Sequence, residues 1–293
     1  MAKKTVLITG CSTGIGKLAA RLFHERGWNV IATMRNPEKE EELREQDDLM
    51  LARLDVTDKA SIHAAVSEGV GRFGALDVVV NNAARGGRAL LEASSDAMVR
   101  AMYDTNVFGV MDVCRAVLPI MRKQGSGCII NLTSMAGMVG LPLETAYSGT
   151  KYAVEGMTEA LAFELKGLGI LAKTVAPGVY SRTEFSANAN DDDWAAGGQA
   201  LTAYSDELRA HFRRSVSSEG GDTADPQEVA DKIFECATEA TPVHNPVGND
   251  AQLLMTMMGG PGRQAFLDQA EPLLLPPSTR SAADEARRRN RTT

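Results

Sequence analysis

Short apolar runs alternate with longer amphipathic stretches through the first 176 residues of the chain. Several of these runs are almost unbroken Val, Ile and Leu, which is typical of strands buried on both faces of a parallel sheet. Their alternation with helical patterns predicts an α/β fold, a doubly wound parallel sheet flanked by helices. The predicted strands are Thr5–Thr9, Asn29–Met34, Leu49–Leu54, Leu76–Asn81, Gly127–Thr133 and Leu171–Ala176. The predicted helices are 15–26, 37–46, 58–72, 94–123 and 144–167.

The pattern changes after Ala176. Residues 184–224 are too long for an ordinary connection, so we expect a substrate loop or lid there, with a surface insertion as the alternative. Residues 225–275 return to a helical pattern and form a helical C-terminal extension of a single domain, residues 1–275. The remaining residues, 276–293, are expected to form a flexible tail.

The composition argues against several classes of protein. The chain has 293 residues, of which 44% are hydrophobic and 24% charged, as in a soluble globular protein. A net charge of −7 and a pI of about 5.3 argue against a nucleic-acid partner. Four cysteines and four histidines are scattered without metal-ligand spacing, so we expect no metal and a reducing, cytoplasmic location. No apolar run reaches membrane-spanning length, and the first strand leaves no room for a signal peptide; we therefore expect no membrane association.

A glycine-rich turn, Thr9–Gly16, joins the first predicted strand to the first predicted helix. Glycines allow a sharp turn and a close approach to a ligand, and the N–H groups at a helix start favour a pyrophosphate. The turn therefore predicts a dinucleotide site. Residues 10–14 also satisfy the G-x-S-x-G nucleophile elbow of hydrolases. That alternative is disfavoured because no earlier strand completes an oxyanion hole, and only His211 or His244 could act as the triad base.

The end of the second predicted strand bears on the choice of dinucleotide. An acidic residue there usually holds the adenosine ribose hydroxyls of NAD. This chain has Met34-Arg35 instead. A methionine cannot accept those hydrogen bonds, whereas an arginine suits a 2′-phosphate. The sequence thus predicts that NADP(H) is preferred, with NAD(H) possible and an exposed Arg35 of no special role as the alternative.

Three residues with complementary chemistry follow the fifth predicted strand: Ser134, Tyr147 and Lys151. Tyr147 and Lys151 are four residues apart and therefore share one face of a helix. A phenol normally titrates near pH 10, and a nearby positive charge favours the phenolate, so we expect Lys151 to lower the pKa of Tyr147. The spacing predicts a general acid/base accompanied by a hydrogen-bond donor for a carbonyl oxygen.

Together these motifs resemble the short-chain dehydrogenase/reductase family in its single-domain form, over about residues 4–250. The motifs that carry the resemblance occur in the family's order: Thr9–Gly16, Asp55, Asn81-Asn82-Ala83-Ala84, Asn106, Ser134, Tyr147/Lys151, Pro177-Gly178 and Thr183. One departure is Ala84, where the family usually has glycine. The added methyl group removes no catalytic group.

The resemblance implies a Rossmann-like fold and hydride transfer between nicotinamide C4 and a carbonyl or secondary alcohol. It implies that Ser134 holds the substrate oxygen, that Tyr147 exchanges a proton with it, and that Lys151 binds the nicotinamide ribose. Asn106 would hold a water that joins Lys151 to solvent, although on sequence alone a simple helix cap is the more common role. The expected cofactor-binding residues are Gly10, Ser12, Thr13, Gly14, Ile15, Gly16, Arg35, Asp55, Val56, Asn82, Ala83, Tyr147, Lys151, Pro177, Gly178, Val179 and Thr183.

Other classes and the substrate stay open at this point. A non-catalytic NADP-binding regulator, or an epimerase or dehydratase of the related extended type, would use a similar scaffold. Arg85 and Arg88 could meet an anionic group of a small-molecule substrate, though a solvated loop is the simpler interpretation. A homodimer or homotetramer is implied through the helices at 94–123 and 144–167. Residues that predict a pocket for a hydrophobic ketone or alcohol are Met135, Met138, Val139, Leu141, Leu143, Tyr180, Phe185 and Trp194.

Overall fold

The computed structural model of the protein describes residues 3–180, 198–218, 224–259 and 269. The strands are β1 (Thr5–Thr9), β2 (Asn29–Met34), β3 (Leu49–Arg53), β4 (Val78–Asn81), β5 (Gly127–Leu132), β6 (Ile170–Pro177) and β7 (His244–Val247). The α-helices are α1 (Gly14–Glu25), α2 (Lys59–Phe73), α3 (Asp96–Tyr103), α4 (Gly109–Gln124), α5 (Thr145–Lys166), α6 (Gly198–Ser218), α7 (Gln227–Thr238) and α8 (Asn249–Met258). None of these described helices has both the length and the apolar character needed to cross a membrane.

The seven strands form one parallel sheet in the order β3-β2-β1-β4-β5-β6-β7. The expected doubly wound α/β fold is therefore confirmed. The order reverses between β1 and β4, which leaves a crevice at the carboxyl ends of these two strands. Open α/β sheets bind their ligands at such a reversal.

The core consists of one apolar layer on each face of the sheet. Successive strand residues point to opposite faces, so Val6 packs with Phe23 of α1 and Ile233 of α7. Leu7 packs on the other face, in the layer that includes Val113 of α4. Because both faces are covered, the strands have no solvated side, and their near-continuous apolar character follows from this.

The helix expected at 37–46 is wrong. Only one 3₁₀ turn, Pro37–Lys39, forms there. Within the segment only Leu43 is a buried apolar side chain, so a helix would have no apolar face to pack against the sheet. The Glu40 carboxylate instead accepts hydrogen bonds from the backbone N–H groups of Glu42 and Leu43.

Three further differences concern the second half of the chain. The helix expected at 94–123 is interrupted by a π-helical turn, Asp104–Phe108, between α3 and α4. The segment expected to be a loop at 184–224 contains the 21-residue helix α6. The sequence analysis missed β7, a four-residue strand with a proline at its third position. The expected tail, 276–293, lies outside the described residues.

The edge strand β7 is joined to α5 by ionisable side chains. His244 Nδ1 lies 2.8 Å from Glu155 Oε2, and its Nε2 lies 3.0 Å from Glu159 Oε1. The hydrogen bond to Glu155 is the main cause that raises the pKa of His244, and partial burial opposes it. The imidazolium can donate to both carboxylates only while it holds both of its protons.

We predict that this contact makes stability fall as pH rises. Because the pKa of His244 is higher in the folded state, its contribution is complete below the unfolded pKa of about 6.5 and is lost as pH rises through the folded pKa. Urea unfolding between about pH 6 and pH 8 should show a smaller loss in His244→Gln than in the unsubstituted protein. The control is His63→Gln, at an exposed histidine on α2. Equal pH dependence in all three proteins would contradict the assignment.

Candidate active site

A cleft of about 570 Å³ opens at the carboxyl ends of the central strands. It extends from Arg35, after β2, to Tyr147 on α5 and so brings together both ends of the expected site. The expected residues that line it are Gly10, Ser12, Thr13, Gly14, Ile15, Arg35, Asp55, Val56, Asn82, Ala83, Ser134, Tyr147, Lys151, Pro177, Gly178 and Val179. Gly16 and Asn106 do not line it, and Thr183 lies outside the described residues.

The turn after β1 is fastened to the end of β4. The Asn82 side-chain amide donates to the carbonyl oxygens of Thr9 (2.8 Å) and Gly10 (3.1 Å). In return, the Thr9 hydroxyl accepts the backbone N–H groups of Asn82 and Ala83, each at 3.0 Å. Gly10 has a φ of +74°, a left-handed conformation that glycine adopts without strain. These contacts hold a backbone turn at the reversal of strand order.

Gly16 acts through close packing. A Cβ atom at this position would lie 2.3 Å from the carbonyl oxygen of Gly10 and 2.4 Å from the side-chain nitrogen of Asn82. Both distances are far below van der Waals contact, so α1 approaches the turn as closely as it does only because residue 16 has no side chain. Its contribution to a ligand site is therefore indirect, through the position of the turn.

The other end of the cleft carries an exposed cation. Arg35 is exposed, and no carboxylate of the described residues lies within ion-pair distance of it. Lys17, by contrast, is paired with Glu40 and Glu42, each at 3.0 Å. Arg35 is thus a cation available to an incoming anion at this end.

Ser134, Tyr147 and Lys151 meet at the end of β5. Tyr147 and Lys151 lie one turn apart near the start of α5 and are both buried. The Lys151 ammonium donates to the carbonyl oxygen of Leu132 at 2.9 Å and lies 5.6 Å from the centroid of the Tyr147 ring. The Ser134 side chain is hydrogen-bonded to the Tyr147 phenol. The structure therefore assembles the predicted hydroxyl, phenol and ammonium in one place.

The expected lowering of the pKa of Tyr147 by Lys151 is wrong in this arrangement. Burial raises the pKa of Tyr147 well above its usual range, and the charge of Glu144 acts in the same direction. The hydrogen bond from Ser134 opposes them, as does the charge of Arg88. Burial also lowers the pKa of Lys151 to about 8, against the influence of Glu155. Burial thus disfavours the phenolate form of Tyr147 in this arrangement.

Asn106 is buried in the π-helical turn and links two elements of the site. Its Oδ1 accepts the backbone N–H of Arg85 at 2.7 Å, and its Nδ2 donates to the carbonyl oxygen of Arg85 at 2.9 Å. Nδ2 also lies 3.1 Å from the hydroxyl of Thr150 on α5. The side chain thus fastens the loop after β4 to the helix that carries Tyr147. The expected water-holding role stays a prediction.

Sequence reasoning missed Glu144 and undervalued two arginines. Glu144 is buried, one turn before Tyr147, and accepts a 2.8 Å hydrogen bond from Arg88 Nε. Burial raises the pKa of Glu144, and the Arg88 charge lowers it. The interpretation of Arg85 and Arg88 as a solvated loop is wrong, because both are partly buried and line the cleft. Glu144 precedes Tyr147 by three residues, and this spacing could have indicated that the two side chains share one face of a helix.

Apolar side chains surround Tyr147, and Met135, Leu141 and Val179 among them line the cleft. Other members of this buried cluster, such as Met98, Met102 and Met138, do not line it. The members of the cluster that the sequence analysis expected in a pocket are Met135, Met138, Val139 and Leu141. The Tyr180 hydroxyl lies 3.3 Å from a carboxylate oxygen of Glu228, and Phe185 and Trp194 lie outside the described residues.

The fold and the site define an oxidoreductase that binds a nicotinamide cofactor and acts on CH–OH or carbonyl groups. The short chain dehydrogenase family profile matches residues 4–194, and the chain belongs to the short-chain dehydrogenase/reductase family. This membership favours the oxidoreductase over the hydrolase alternative.

Two relatives illustrate the similarity in sequence. The uncharacterized oxidoreductase YusZ of Bacillus subtilis is 36% identical over 247 residues, which cover 82% of this chain and 86% of the relative. A 3-ketodihydrosphingosine reductase of Bacteroides thetaiotaomicron is 34% identical over 258 residues, which cover 87% of this chain and 91% of the relative.

Two solved structures share the fold. A short-chain dehydrogenase from Streptomyces avermitilis is 30% identical with a TM-score of 0.76, over 100% of this chain and 99% of that one. ElxO with NADP bound is 29% identical with a TM-score of 0.71, over 86% of this chain and 99% of that one.

We predict that Gly16→Ala disrupts the dinucleotide turn. The methyl group has no room beside the Gly10 carbonyl, and overpacking of this kind costs about 1–3 kcal/mol. We expect a lower melting temperature and weaker NADPH binding by fluorescence titration. The matched control is Gly71→Ala in α2, where a Cβ meets nothing within 4 Å. That variant should gain about 0.5–1 kcal/mol of helix stability and bind NADPH normally. Normal NADPH binding by Gly16→Ala would contradict the packing argument.

Proposed function

We propose that the protein is an NADP(H)-dependent oxidoreductase that reduces a hydrophobic ketone and, in reverse, oxidises the corresponding secondary alcohol. The observation that carries this proposal is the position of the buried Tyr147 beside Ser134 and Lys151 at the inner end of the cleft. A phenol placed beside a carbonyl oxygen can give that oxygen a proton as hydride reaches the carbonyl carbon, which is the general-acid step of ketone reduction.

The described residues fit a bound dinucleotide. The glycine turn presents backbone to the cleft, and the groups expected at the adenosine and nicotinamide ends line the same continuous space. When bound, the cofactor supplies the hydride. Ser134 holds the substrate oxygen by a hydrogen bond, and Tyr147 gives its phenolic proton to that oxygen. Lys151, fixed by the Leu132 carbonyl, supplies positive charge beside the tyrosine.

The substrate is proposed to be apolar around its carbonyl group. The cleft near Tyr147 is lined by the apolar side chains of Met135, Leu141 and Val179, and apolar groups of a substrate gain by contact with them. The 3-ketodihydrosphingosine reductase among the relatives carries a ketone in its substrate's name, which agrees with this class. A regulator that binds NADP(H) without catalysis does not require Ser134 and Lys151 to lie beside Tyr147.

NADP(H) preference depends on Arg35, and we predict that Arg35→Asp reverses it. The exposed guanidinium is not paired with any carboxylate of the described residues, so a 2′-phosphate would gain charge-assisted hydrogen bonds worth roughly tenfold to a hundredfold in affinity. KM for NADPH should rise by that factor, while KM for NADH changes little or falls. The control, Arg44→Asp, makes the same charge change at an exposed residue outside the cleft. Undiminished NADPH preference in Arg35→Asp would refute the proposal.

Tyr147→Phe should fold and bind NADPH but lose turnover by roughly 10²–10⁴-fold, since it removes only the hydroxyl that gives the proton. Turnover of a carbonyl panel, NADPH binding and melting temperature would be measured together. Tyr152→Phe is the matched control, because Tyr152 lies on the same helix and its hydroxyl donates to the Met138 carbonyl outside the cleft lining. Near-normal kcat in Tyr147→Phe would reject its role. Normal NADPH binding without any carbonyl turnover in the unsubstituted protein would favour the regulator.

A further inference from the structure

The loop after β4 brings two arginines to the Tyr147 end of the cleft. Arg85 and Arg88 both line the cleft, and the charges of Arg88 and Glu144 both act on the Tyr147 phenol. Since a substrate carbonyl must lie beside Tyr147, the rest of the substrate extends into the space that these side chains border. Their chemistry therefore bears on which substrates the proposed reductase accepts.

Arg88 is anchored by one edge of its guanidinium. Its Nε donates to Glu144 Oε1 at 2.8 Å, which leaves the two Nη groups without a hydrogen-bond partner among the described residues. The Arg88 side chain is 36% exposed and the Glu144 side chain only 10%. The cation is thus the accessible member of the pair, and the carboxylate fixes it in place. A guanidinium held in this way is suited to a carboxylate, which matches its planar fork.

Arg85 adds a second, independent observation. Its backbone N–H and carbonyl are both hydrogen-bonded to Asn106, so its position in the cleft wall is fixed. Its side-chain Nε is buried and has no hydrogen-bond partner within the described parts of the chain. Buried polar groups are nearly always paired, and an anion that reached this guanidinium would supply charge-assisted hydrogen bonds to it.

The charges at this end of the cleft favour an anion. Arg85, Arg88 and Lys151 line it, and Glu144 is the opposing carboxylate among the described lining residues near Tyr147. We propose that Arg88, positioned by Glu144, binds a carboxylate of the substrate together with Arg85, while the apolar chain of the substrate contacts the apolar lining of the cleft at Met135 and Leu141. The substrate class is then an apolar oxo acid, or the matching hydroxy acid. This inference rests on the proposed function and names its substrate class.

The test uses a set of oxodecanoates that differ in the position of the ketone, each with its methyl ester and its trimethylammonium counterpart. With NADPH and the unsubstituted protein, at least one acid should exceed its ester in kcat/KM by roughly tenfold or more, the usual effect of a hydrogen bond to a charged group. Arg88→Met should lower this acid-to-ester ratio by roughly tenfold to a hundredfold, mainly through KM of the acid. Arg88→Lys keeps the positive charge but loses the planar, bidentate guanidinium. Its acid-to-ester ratio should therefore lie between those of the unsubstituted protein and Arg88→Met.

The control is Arg100→Met, which removes an exposed arginine from α3 and should leave the acid-to-ester ratio unchanged. Equal ratios in the unsubstituted protein and Arg88→Met, or a preference for the trimethylammonium compounds, would overturn the inference. The latter result would make Glu144 the binding group. Melting temperatures will show whether Arg88→Met folds. If it does not, the acid-to-ester ratio of Arg88→Lys is compared with that of the unsubstituted protein instead.

A binding measurement separates this inference from the proposed function. Decanoate, which has no ketone, should bind the protein–NADPH complex at least about tenfold more tightly than it binds the Arg88→Met complex in calorimetry. If esters are reduced but neither the acid preference nor decanoate binding depends on Arg88, the proposed carboxylate site is rejected and the proposed reductase function is retained. If no ketone is reduced while decanoate binding does depend on Arg88, the proposed function fails and the anion site stands.

Discussion

The hydrogen bonds between Thr9 and Asn82 are the constraint on which the site depends. They join the turn after β1 to the end of β4 at the one place where the strand order reverses. The dinucleotide turn begins on one side of this junction and the loop with Arg85 on the other. The absence of a side chain at Gly16 lets α1 approach the same point. A few polar contacts thus set the relative positions of the expected cofactor site and the proposed substrate site.

Burial dominates the electrostatics of α5. Glu144, Tyr147 and Lys151 follow one another at helical spacing, and all three are at most 8% exposed. Removal from water disfavours the charged form of each, and their mutual interactions only modify that effect. Tyr147 is therefore held neutral, and the pKa of Lys151 is brought down to about 8. The helix thus places a buried phenol and a buried ammonium next to each other at the inner end of the cleft.

Local patterns predicted most of the fold and the proposed catalytic residues. The strands β1–β6 are dense in apolar residues, and Ser134, Tyr147 and Lys151 lie within 18 consecutive positions, so both left strong signals in a short window. The strand β7 left none, because four residues with a proline at a sheet edge carry no recognisable pattern.

What the sequence could not show depends on contacts made by folding. Arg88 and Glu144 are 56 positions apart, and only the folded chain pairs them. The sign of the pKa shift at Tyr147 was mispredicted for the same reason. The spacing of Lys151 was visible in the sequence, but the depth of burial that outweighs its charge was not.

The way in which Asn106 holds the loop after β4 has a consequence for how such a site can change. The Asn106 side chain forms both hydrogen bonds with the backbone of Arg85, and the Arg85 side chain takes part in neither. The anchor therefore tolerates any amino acid at position 85 that has a backbone N–H, which excludes only proline. The side chain at this position can change by mutation while the loop keeps its place beside α5. Single substitutions at this position can therefore change the range of substrates one step at a time, while the residues proposed for hydride transfer keep their positions.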